Sequence, residues 1–318
     1  MKPVEGAETM RRLHKIIIAL FLILILSYIV PIPSTGQNVE EIAFPESKFI
    51  EVCGLKVHYI ETRGDKNVVL LHGFGASTFS WRYVLKSDLN VRMVAFDRPG
   101  FGLTERKDPE ELPCNPYSPE GAAELTLELM DKLGIEEAVL VGHSAGAGVA
   151  LLVSIKAPER VEKLVLVAPA WEAREQGTLQ RFLFSLPWTE KYFPLVLRFS
   201  VGRLEDVLEN AWYNQSKLTP EVWEGYKWPL KAKDWDRGLF WVTKYGEYPD
   251  ITEELKTLDT PTLIVHCRED RIVPLESGER LHELLPNSKL VIMEGCGHLP
   301  HEEKPEEFLE ILEEFLEG

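Results

Sequence analysis

A continuous apolar stretch that ends at a serine constrains this chain more than any other feature. Residues 138–141 are all apolar, and Gly142-His143-Ser144-Ala145-Gly146 follows them directly. An unbroken apolar run predicts a central parallel strand that is covered on both faces. The small residues after it predict a sharp turn into a helix, because glycines at 142 and 146 permit the close approach that such a turn requires. Ser144 would then lie at a helix N-terminus, where the partial positive charge stabilises an anion.

Length and composition limit the classes of protein that the chain can be. Its 318 residues, 45% of them hydrophobic, suffice for one large core with an inserted subdomain. The net charge of −16 argues against nucleic acid as a partner. The four cysteines show no C-x-x-C spacing, so we expect no metal site and no cofactor. Cys267 ends a predicted strand and is expected to pack as a free thiol, although one disulfide stays possible.

The N-terminal segment predicts a membrane anchor. Residues 1–15 carry four basic side chains and form a predicted cytoplasmic N-terminus, whereas residues 16–32 are almost entirely apolar. This arrangement predicts a membrane-anchored protein whose catalytic domain lies outside the cytoplasm. The alternative is a signal peptide cleaved after Gly36, which would give a secreted protein. Residues 33–46, rich in Pro, Ser, Thr and Gly, are predicted to be a linker.

Strand and helix patterns alternate in the rest of the chain. A hairpin is predicted around Gly54, and further strands are predicted at 68–71, 91–96, 138–141, 161–167, 262–266 and 290–293. Helices are predicted at 119–133, 146–156, 277–285 and 305–316. The alternation predicts an α/β fold with a mostly parallel sheet and helices on both faces, built from residues 47–168 and 259–318.

Residues 169–258 interrupt the alternation. This stretch lacks strand patterns and is predicted to be a helical lid inserted into the core. It contains every tryptophan of the chain except Trp81, namely Trp171, Trp188, Trp212, Trp223, Trp228, Trp235 and Trp241. Large aromatic side chains in a lid favour a pocket for lipophilic groups, with Trp171 and His143 as candidate substrate contacts.

Three segments that follow predicted strands carry the candidate chemistry. His72-Gly73-Phe74-Gly75 follows one strand, and its Phe74 N–H could join the Ala145 N–H in binding an oxyanion. Asp270 and His298 follow two others. Because a serine needs a base, and the base needs an acid that orients it, we predict Ser144 as nucleophile, His298 as base and Asp270 as acid. Glu269 and Asp97 are the rival acids, and Asp97 is expected to brace its own loop instead.

These motifs together resemble the α/β-hydrolase-fold family over residues 47–318. The resemblance rests on the segments at 72–75, 142–146 and 270–274, on Asp97-Arg98-Pro99-Gly100-Phe101-Gly102 and on Gly297-His298. It implies a serine hydrolase with a lid after the sixth strand. Cys267 departs from the glycine that relatives often carry before the acid loop.

The nucleophile type narrows the expected reaction. A serine forms an acyl-enzyme and cannot replace the aspartate nucleophile of epoxide hydrolases or haloalkane dehalogenases. Hydrolysis of small lipophilic esters is therefore the expected activity, similar to that of membrane-bound monoacylglycerol lipases. Two alternatives stay open: hydrolysis of a carbon–carbon bond in an aromatic ring-cleavage product, and a non-catalytic binding module on the same fold.

Overall fold

A single twisted sheet organises the chain. The computed structural model describes residues 4–30, 32–173, 176–200 and 203–318. In that part of the chain the strands pair in the order β1-β2-β4-β3-β5-β6-β7-β8. Their bounds are β1 Lys48–Val52, β2 Leu55–Glu61, β3 Lys66–Leu71, β4 Val91–Phe96, β5 Ala138–His143, β6 Val161–Val167, β7 Thr262–Cys267 and β8 Ser288–Met293.

The pairing confirms a mostly parallel sheet. β1 and β2 form the expected antiparallel hairpin, whose turn uses Cys53 and Gly54 at positive φ. β2 also runs antiparallel to β4, whereas β3 to β8 are all parallel to one another. The carboxyl ends of the parallel strands therefore meet at one edge, where open α/β sheets collect their functional residues.

Helices cover both faces of this sheet. In chain order the α-helices of the described residues are α1 Val4–Ile29, α2 Arg82–Leu85, α3 Pro119–Lys132, α4 Ala145–Lys156, α5 Thr178–Phe184, α6 Pro187–Phe199, α7 Arg203–Ala211, α8 Pro220–Lys227, α9 Trp235–Tyr245, α10 Thr252–Leu255, α11 Leu275–Leu284, α12 Pro300–Glu303 and α13 Pro305–Glu317. Helix α3 is an example of how these helices begin and end. Ser118 caps it by accepting the Gly121 N–H, and Gly134 at φ +68° follows its end.

Alternate residues of the strands supply two separate cores. Leu140 of β5 packs into the core that contains α3 and α4, whereas Val139 and Val141 pack into the core that contains Trp81 and Phe308. All six residues of β5 are buried. The central strand is thus covered on both faces, as its continuous apolar sequence predicts.

Helices α5 to α10 lie between β6 and β7, and we call residues 169–258 the helical insertion. Three of its seven tryptophans are buried and three others are half-buried. Trp212 and Trp241 are buried, and the Trp228 indole donates to the Ile42 carbonyl at 2.9 Å. Their main contribution in the structure is packing of the insertion and its attachment to the core.

Residues 33–46 have little regular structure, but they are attached to the helical insertion. The Gln37 N–H donates to the Lys231 carbonyl at 2.8 Å, and the Lys233 N–H donates to the Gln37 carbonyl at 2.7 Å. Val39 and Ile42 are buried beside Ala232. This predicted linker is therefore attached to the helical insertion over much of its length.

The predicted membrane anchor at residues 16–32 is wrong. Among the helices of the described residues, none combines the length and the apolarity that are needed to cross a membrane. The physical reason is that α1 begins at Val4, so its first half is charged. Its apolar part, residues 16–29, spans only about 21 Å, against about 30 Å of hydrocarbon. The localisation that rested on this anchor is overturned with it, whereas the membrane as a partner of the N-terminal segment stays a prediction. Lys2 and Pro31, which the prediction also used, lie outside the described residues.

Candidate active site

Ser144 occupies a strained turn between β5 and α4. Its φ of 51° and ψ of −121° lie outside the conformations that non-glycine residues ordinarily adopt. Backbone hydrogen bonds fix it there: its N–H donates to the Val167 carbonyl at 2.8 Å, and its carbonyl accepts the Ala147 N–H at 2.9 Å. The side chain is therefore presented at the N-terminus of α4, at the carboxyl edge of the sheet.

Two glycines make this turn possible. A Cβ on Gly142 would lie 2.6 Å from the Gly146 carbonyl oxygen, and a Cβ on Gly146 would lie 2.2 Å from the Leu71 carbonyl oxygen. Both distances are to backbone atoms, which cannot rotate away. The G-x-S-x-G spacing thus has the steric cause that the sequence suggested.

The loop after β3 lies directly against Ser144. A Cβ on Gly73 would lie 2.8 Å from His143 Nδ1 and 3.2 Å from the Ser144 Cβ, so a side chain there would force the loop or the His143 ring to shift. Within the described chain, the N–H groups of Phe74 and Ala145 donate to no protein acceptor. Two uncommitted N–H groups on the segments flanking Ser144 fit the predicted oxyanion donors.

His298 and Asp270 meet at the same edge of the sheet. The His298 Nδ1 lies 2.8 Å from the Asp270 Oδ2, and both side chains are largely buried. The His298 carbonyl accepts a hydrogen bond from His143 Nε2 at 2.8 Å, which places His298 beside the residue that precedes Ser144. The structure thus places His298 and Asp270 at the edge of the sheet that carries Ser144, although the three residues follow three separate strands.

The Asp270 carboxylate is held in its ionised form. Its Oδ1 accepts the N–H groups of Ile272 at 2.8 Å and Val273 at 3.0 Å. Although burial raises the pKa of Asp270, hydrogen bonds from His266 and His298 and from the Ile272 N–H outweigh it and hold this pKa well below its usual range. A carboxylate that stays ionised is suited to orient and stabilise a histidine base.

His143 is a second histidine at the site, and it is neutral. Its Nε2 donates to the His298 carbonyl, and its ring lies 4.7 Å from the His298 ring. Burial holds the pKa of His143 well below its usual range, and the charges of His298 and His301 act in the same direction. His143 supports the position of His298, while its predicted contact with substrate stays a prediction.

The remaining candidates take other positions. Asp97 accepts the N–H groups of Thr78 at 2.6 Å and Leu103 at 2.7 Å, so it braces its own loop as expected. Glu269 accepts the Gly295 N–H at 2.9 Å. The Trp171 indole is buried in the core and donates to the Ser277 carbonyl at 3.1 Å, so its role as a substrate contact stays untested.

The expectation that Cys267 packs as a free thiol is wrong. Cys267 forms a disulfide with Cys296, and Cys53 forms a second one with Cys114. The first bond joins the segment before Asp270 to the segment before His298. β7 and β8 are neighbours in the sheet, so the two sulfurs meet at its carboxyl edge. No spacing motif predicts the pairing of Cys267 with Cys296, because their contact depends on the order of the strands in the sheet.

Three further residues support the site, and no sequence pattern predicts their contacts. His266 Nε2 lies 3.4 Å from the Asp270 Oδ2, because the last turn of the acid loop returns towards β7. The Tyr248 hydroxyl donates to the Ala145 carbonyl at 2.6 Å. Buried Glu303 accepts the Gly297 N–H at 2.6 Å. A single polar residue in a strand, a loop or a short helix gives no sequence signal for contacts with such distant segments.

Two cavities accompany the helical insertion. One, of about 790 Å³, is lined by apolar side chains of α5 and α6 such as Leu183, Trp188 and Phe193. The other, of about 490 Å³, lies between His58, Phe79 and Trp228. Ser144 lines neither of them. In the described ranges no group of three His, Cys, Asp or Glu side chains is arranged to hold a metal ion.

Comparisons with known proteins agree with this architecture. A family model described as the alpha/beta hydrolase fold matches residues 66–305. The chain is 30% identical to the uncharacterized hydrolase YugF of Bacillus subtilis, over 83% of this chain and 96% of that protein. It is 27% identical to a 2-hydroxy-6-oxo-6-phenylhexa-2,4-dienoate hydrolase of Comamonas testosteroni, over 82% and 91% respectively. The crystal structure of a membrane phospholipase A, described as a bacterial virulence factor, is 26% identical with a TM-score of 0.67, over 88% of each chain.

Proposed function

We propose a serine-hydrolase mechanism for this chain, which belongs to the α/β-hydrolase fold family. Ser144 is the proposed nucleophile, His298 the base, and Asp270 the acid that orients it. The observation that carries the proposal is the 2.8 Å contact between His298 Nδ1 and Asp270 Oδ2 at the edge where the strained turn presents Ser144. A histidine held in this way by a buried carboxylate has its Nε2 free to accept a proton.

The proposed reaction proceeds through two acyl transfers. Ser144 Oγ bonds to a carbonyl carbon while its proton moves to His298 Nε2, and the carbonyl electron pair moves onto oxygen. The N–H groups of Phe74 and Ala145 stabilise that oxyanion. When the intermediate collapses, the leaving group takes the proton from His298. A water molecule then gives a proton to His298 and attacks the acyl carbon. The bond from the acyl carbon to Ser144 Oγ breaks, and His298 returns the proton to Ser144 Oγ as the carboxylic acid is released.

A carbon–carbon bond next to a ketone is the proposed point of cleavage. Support comes from the relatives named for 2-hydroxy-6-oxo-dienoate substrates, which are 26–28% identical to this chain over 82% or more of its length. Such a substrate first becomes its 2-keto tautomer, in which the proton of the 2-hydroxyl group has moved to C5. Ser144 then attacks the 6-oxo carbon and the bond between C5 and C6 breaks. The electron pair of that bond delocalises onto the C2 oxygen, which receives the proton from His298. Water completes the reaction, which yields a carboxylic acid and a hydroxydienoate.

Ester hydrolysis is the second candidate, favoured by one of the comparisons. The phospholipase A that shares the fold over 88% of this chain supports it, because its name denotes cleavage of a lipid ester. The chemistry at Ser144 is the same for an alkoxide as for a carbon leaving group.

A two-substrate comparison tests the proposal. Wild type and Ser144→Ala are assayed with 2-hydroxy-6-oxo-6-phenylhexa-2,4-dienoate and with p-nitrophenyl esters of increasing acyl length, and both are treated with a fluorophosphonate. We expect wild type to cleave the dienoate with the higher kcat/KM and to be labelled at Ser144. The variant should lose about 10³-fold or more in kcat and all labelling.

The possible outcomes separate the candidates. Faster cleavage of the esters selects the second function without changing the mechanism. Equal turnover by wild type and Ser144→Ala removes Ser144 from the reaction. A wild-type protein that is folded but neither labelled nor active on either substrate would be a binding module.

A further inference from the structure

We infer that the disulfide between Cys267 and Cys296 positions the Asp270–His298 pair for catalysis. The inference rests on the proposed function. Cys267 is the last residue of β7, three residues before Asp270, and Cys296 lies two residues before His298. Both cysteines are completely buried, and their Cα atoms are 5.5 Å apart. One covalent bond therefore links the two loops that supply the acid and the base.

The sheet itself does not hold these loops together. The ladder between β7 and β8 ends at the pair Cys267 and Met293, so Asp270 and His298 both lie beyond the last strand pairing. Past that point two backbone N–H groups join the loops, that of Arg268 to the Met293 carbonyl at 3.0 Å and that of Gly295 to Glu269 at 2.9 Å. The other links among the described residues are the disulfide, an exposed ion pair between Arg268 and Glu294, and the contact between Asp270 and His298 that is to be positioned. Exposed ion pairs contribute little, so the disulfide is the strongest of these links.

Small displacements of such a pair are costly. Catalytic geometry tolerates little error, and a misplacement of about 1 Å can reduce the rate about 100-fold. The contact between His298 and Asp270 fixes which imidazole nitrogen carries the proton, so loosening it alters the tautomer as well as the distance. The disulfide lies three residues before Asp270 and two residues before His298. It therefore limits both the change in their distance and the change in the tautomer of His298.

The second disulfide is a matched control within the same chain. Cys53 and Cys114 join the β1–β2 turn to the segment before α3, and neither cysteine belongs to a loop that carries a residue assigned to the reaction. Their sequence separation is 61 residues, against 29 for Cys267 and Cys296. Because a disulfide stabilises by constraining the unfolded chain, more for longer loops, removing the control bond should lower stability at least as much.

The test compares wild type with two double variants, Cys267→Ala/Cys296→Ala and Cys53→Ala/Cys114→Ala. For each we measure Tm, kcat and KM on the better substrate, the rate constant for inactivation by a fluorophosphonate, and the downfield proton resonance of His298 Nδ1–H. We expect both variants to lose Tm. Only Cys267→Ala/Cys296→Ala should lose about tenfold or more in kcat and in inactivation rate, with KM within about twofold and with a weakened resonance.

Reduction provides a version of the test that leaves no cavity. In the Cys53→Ala/Cys114→Ala background the remaining bond is reduced by dithiothreitol, which becomes a cyclic disulfide as the two sulfurs become thiols, and thiol counting confirms the change. Activity should fall on reduction and return on reoxidation.

Two results overturn the inference: unchanged kcat and resonance after loss of the Cys267–Cys296 bond, or equal losses of kcat in both double variants. A wild type without labelling or turnover rejects the proposed function instead, and the resonance still tests the positioning role.

Discussion

The carboxylate of Glu303 accepts a hydrogen bond from the Gly297 N–H at 2.6 Å, directly before His298. The same carboxylate accepts the N–H groups of Tyr213 at 3.2 Å and Asn214 at 3.0 Å, which belong to the helical insertion. One buried side chain thus connects the segment that carries the proposed base to the insertion above it. His298 itself donates its N–H to the Ala211 carbonyl at 2.7 Å, which strengthens the same connection.

Replacing Glu303 should therefore affect both stability and rate. Glu303→Gln turns one acceptor oxygen into a donor that faces backbone N–H groups, and we expect a loss of about 2–3 kcal/mol in unfolding free energy and a lower kcat. Urea unfolding and steady-state kinetics check this. Glu314→Gln, at an exposed position on α13, is the control and should change neither quantity noticeably. Equal behaviour of the two variants would contradict the prediction.

Asp270→Asn should abolish most of the activity while leaving the fold intact. An amide can present a donor to His298 Nδ1 and so favour the wrong tautomer, which typically reduces kcat by about 10³–10⁴-fold. Steady-state rates together with circular dichroism measure both parts of this expectation. The comparison variant is Asp259→Asn, which removes an exposed carboxylate elsewhere. A kcat for Asp270→Asn within tenfold of wild type would remove Asp270 from its assigned role.

Tyr248→Phe should lower kcat more than it changes KM. The variant keeps the ring, which packs against Gly148, but it removes the hydroxyl that donates to the Ala145 carbonyl and accepts from buried Arg98. Loss of a neutral hydrogen bond beside an oxyanion donor corresponds to about a tenfold effect. Burst kinetics with an activated ester measure the acylation step directly. Tyr245→Phe, in the same part of the insertion, should retain wild-type acylation; if it fell equally, the effect would not be specific to Ala145.

Stability should decrease as the pH falls from about 7 to 5. Burial lowers the pKa of His72 to about 3, while in the unfolded chain His72 titrates near 6.5. The unfolded state therefore binds more protons in this range, and His72 alone reduces stability by about 2 kcal/mol at pH 5. Urea unfolding at several pH values measures the slope. His72→Gln should have a shallower slope than wild type, and an unchanged slope would contradict the prediction.

Gly146→Ala should destabilise the protein severely. The added Cβ would lie 2.2 Å from the Leu71 carbonyl oxygen, so β3 and α4 would have to separate next to Ser144. We expect a loss of at least about 2 kcal/mol, seen in thermal unfolding, together with loss of fluorophosphonate labelling. Gly177→Ala is the matched control, because nothing lies within 4 Å of its added Cβ. Comparable melting temperatures for the two variants would disprove the steric argument.

Local sequence patterns predicted the parts of the site that depend on local geometry. The apolar run at 138–141 and the glycines at 142 and 146 suffice to place a buried strand and a sharp turn, because both features arise from contacts between near neighbours in the chain. The order of Ser144, Asp270 and His298 matched the strand order. The bounds of β4 and β6 agree with the predicted 91–96 and 161–167.

Contacts between distant segments could not be predicted in the same way. The pairing of Cys267 with Cys296 requires knowledge that β7 and β8 are adjacent, and the contact of Tyr248 with Ala145 requires the path of the helical insertion. The anchor prediction failed for a related reason. Hydropathy located the apolar residues correctly, but it did not reveal that a single helix also includes the charged residues before them.

The short backbone pairing around Gln37 has a practical consequence for shortening this chain. Removing residues up to 32 would leave every contact of Ser34, Thr35 and Gln37 with the stretch 231–234 in place. Deleting a further ten residues would remove Val39 and Ile42 from their contact with Leu103. Apolar surface would then be exposed at Leu103 and at Ala232, which precedes α9. A shortened protein that begins near residue 33 should therefore stay folded and monodisperse on expression, whereas one that begins near residue 43 should aggregate.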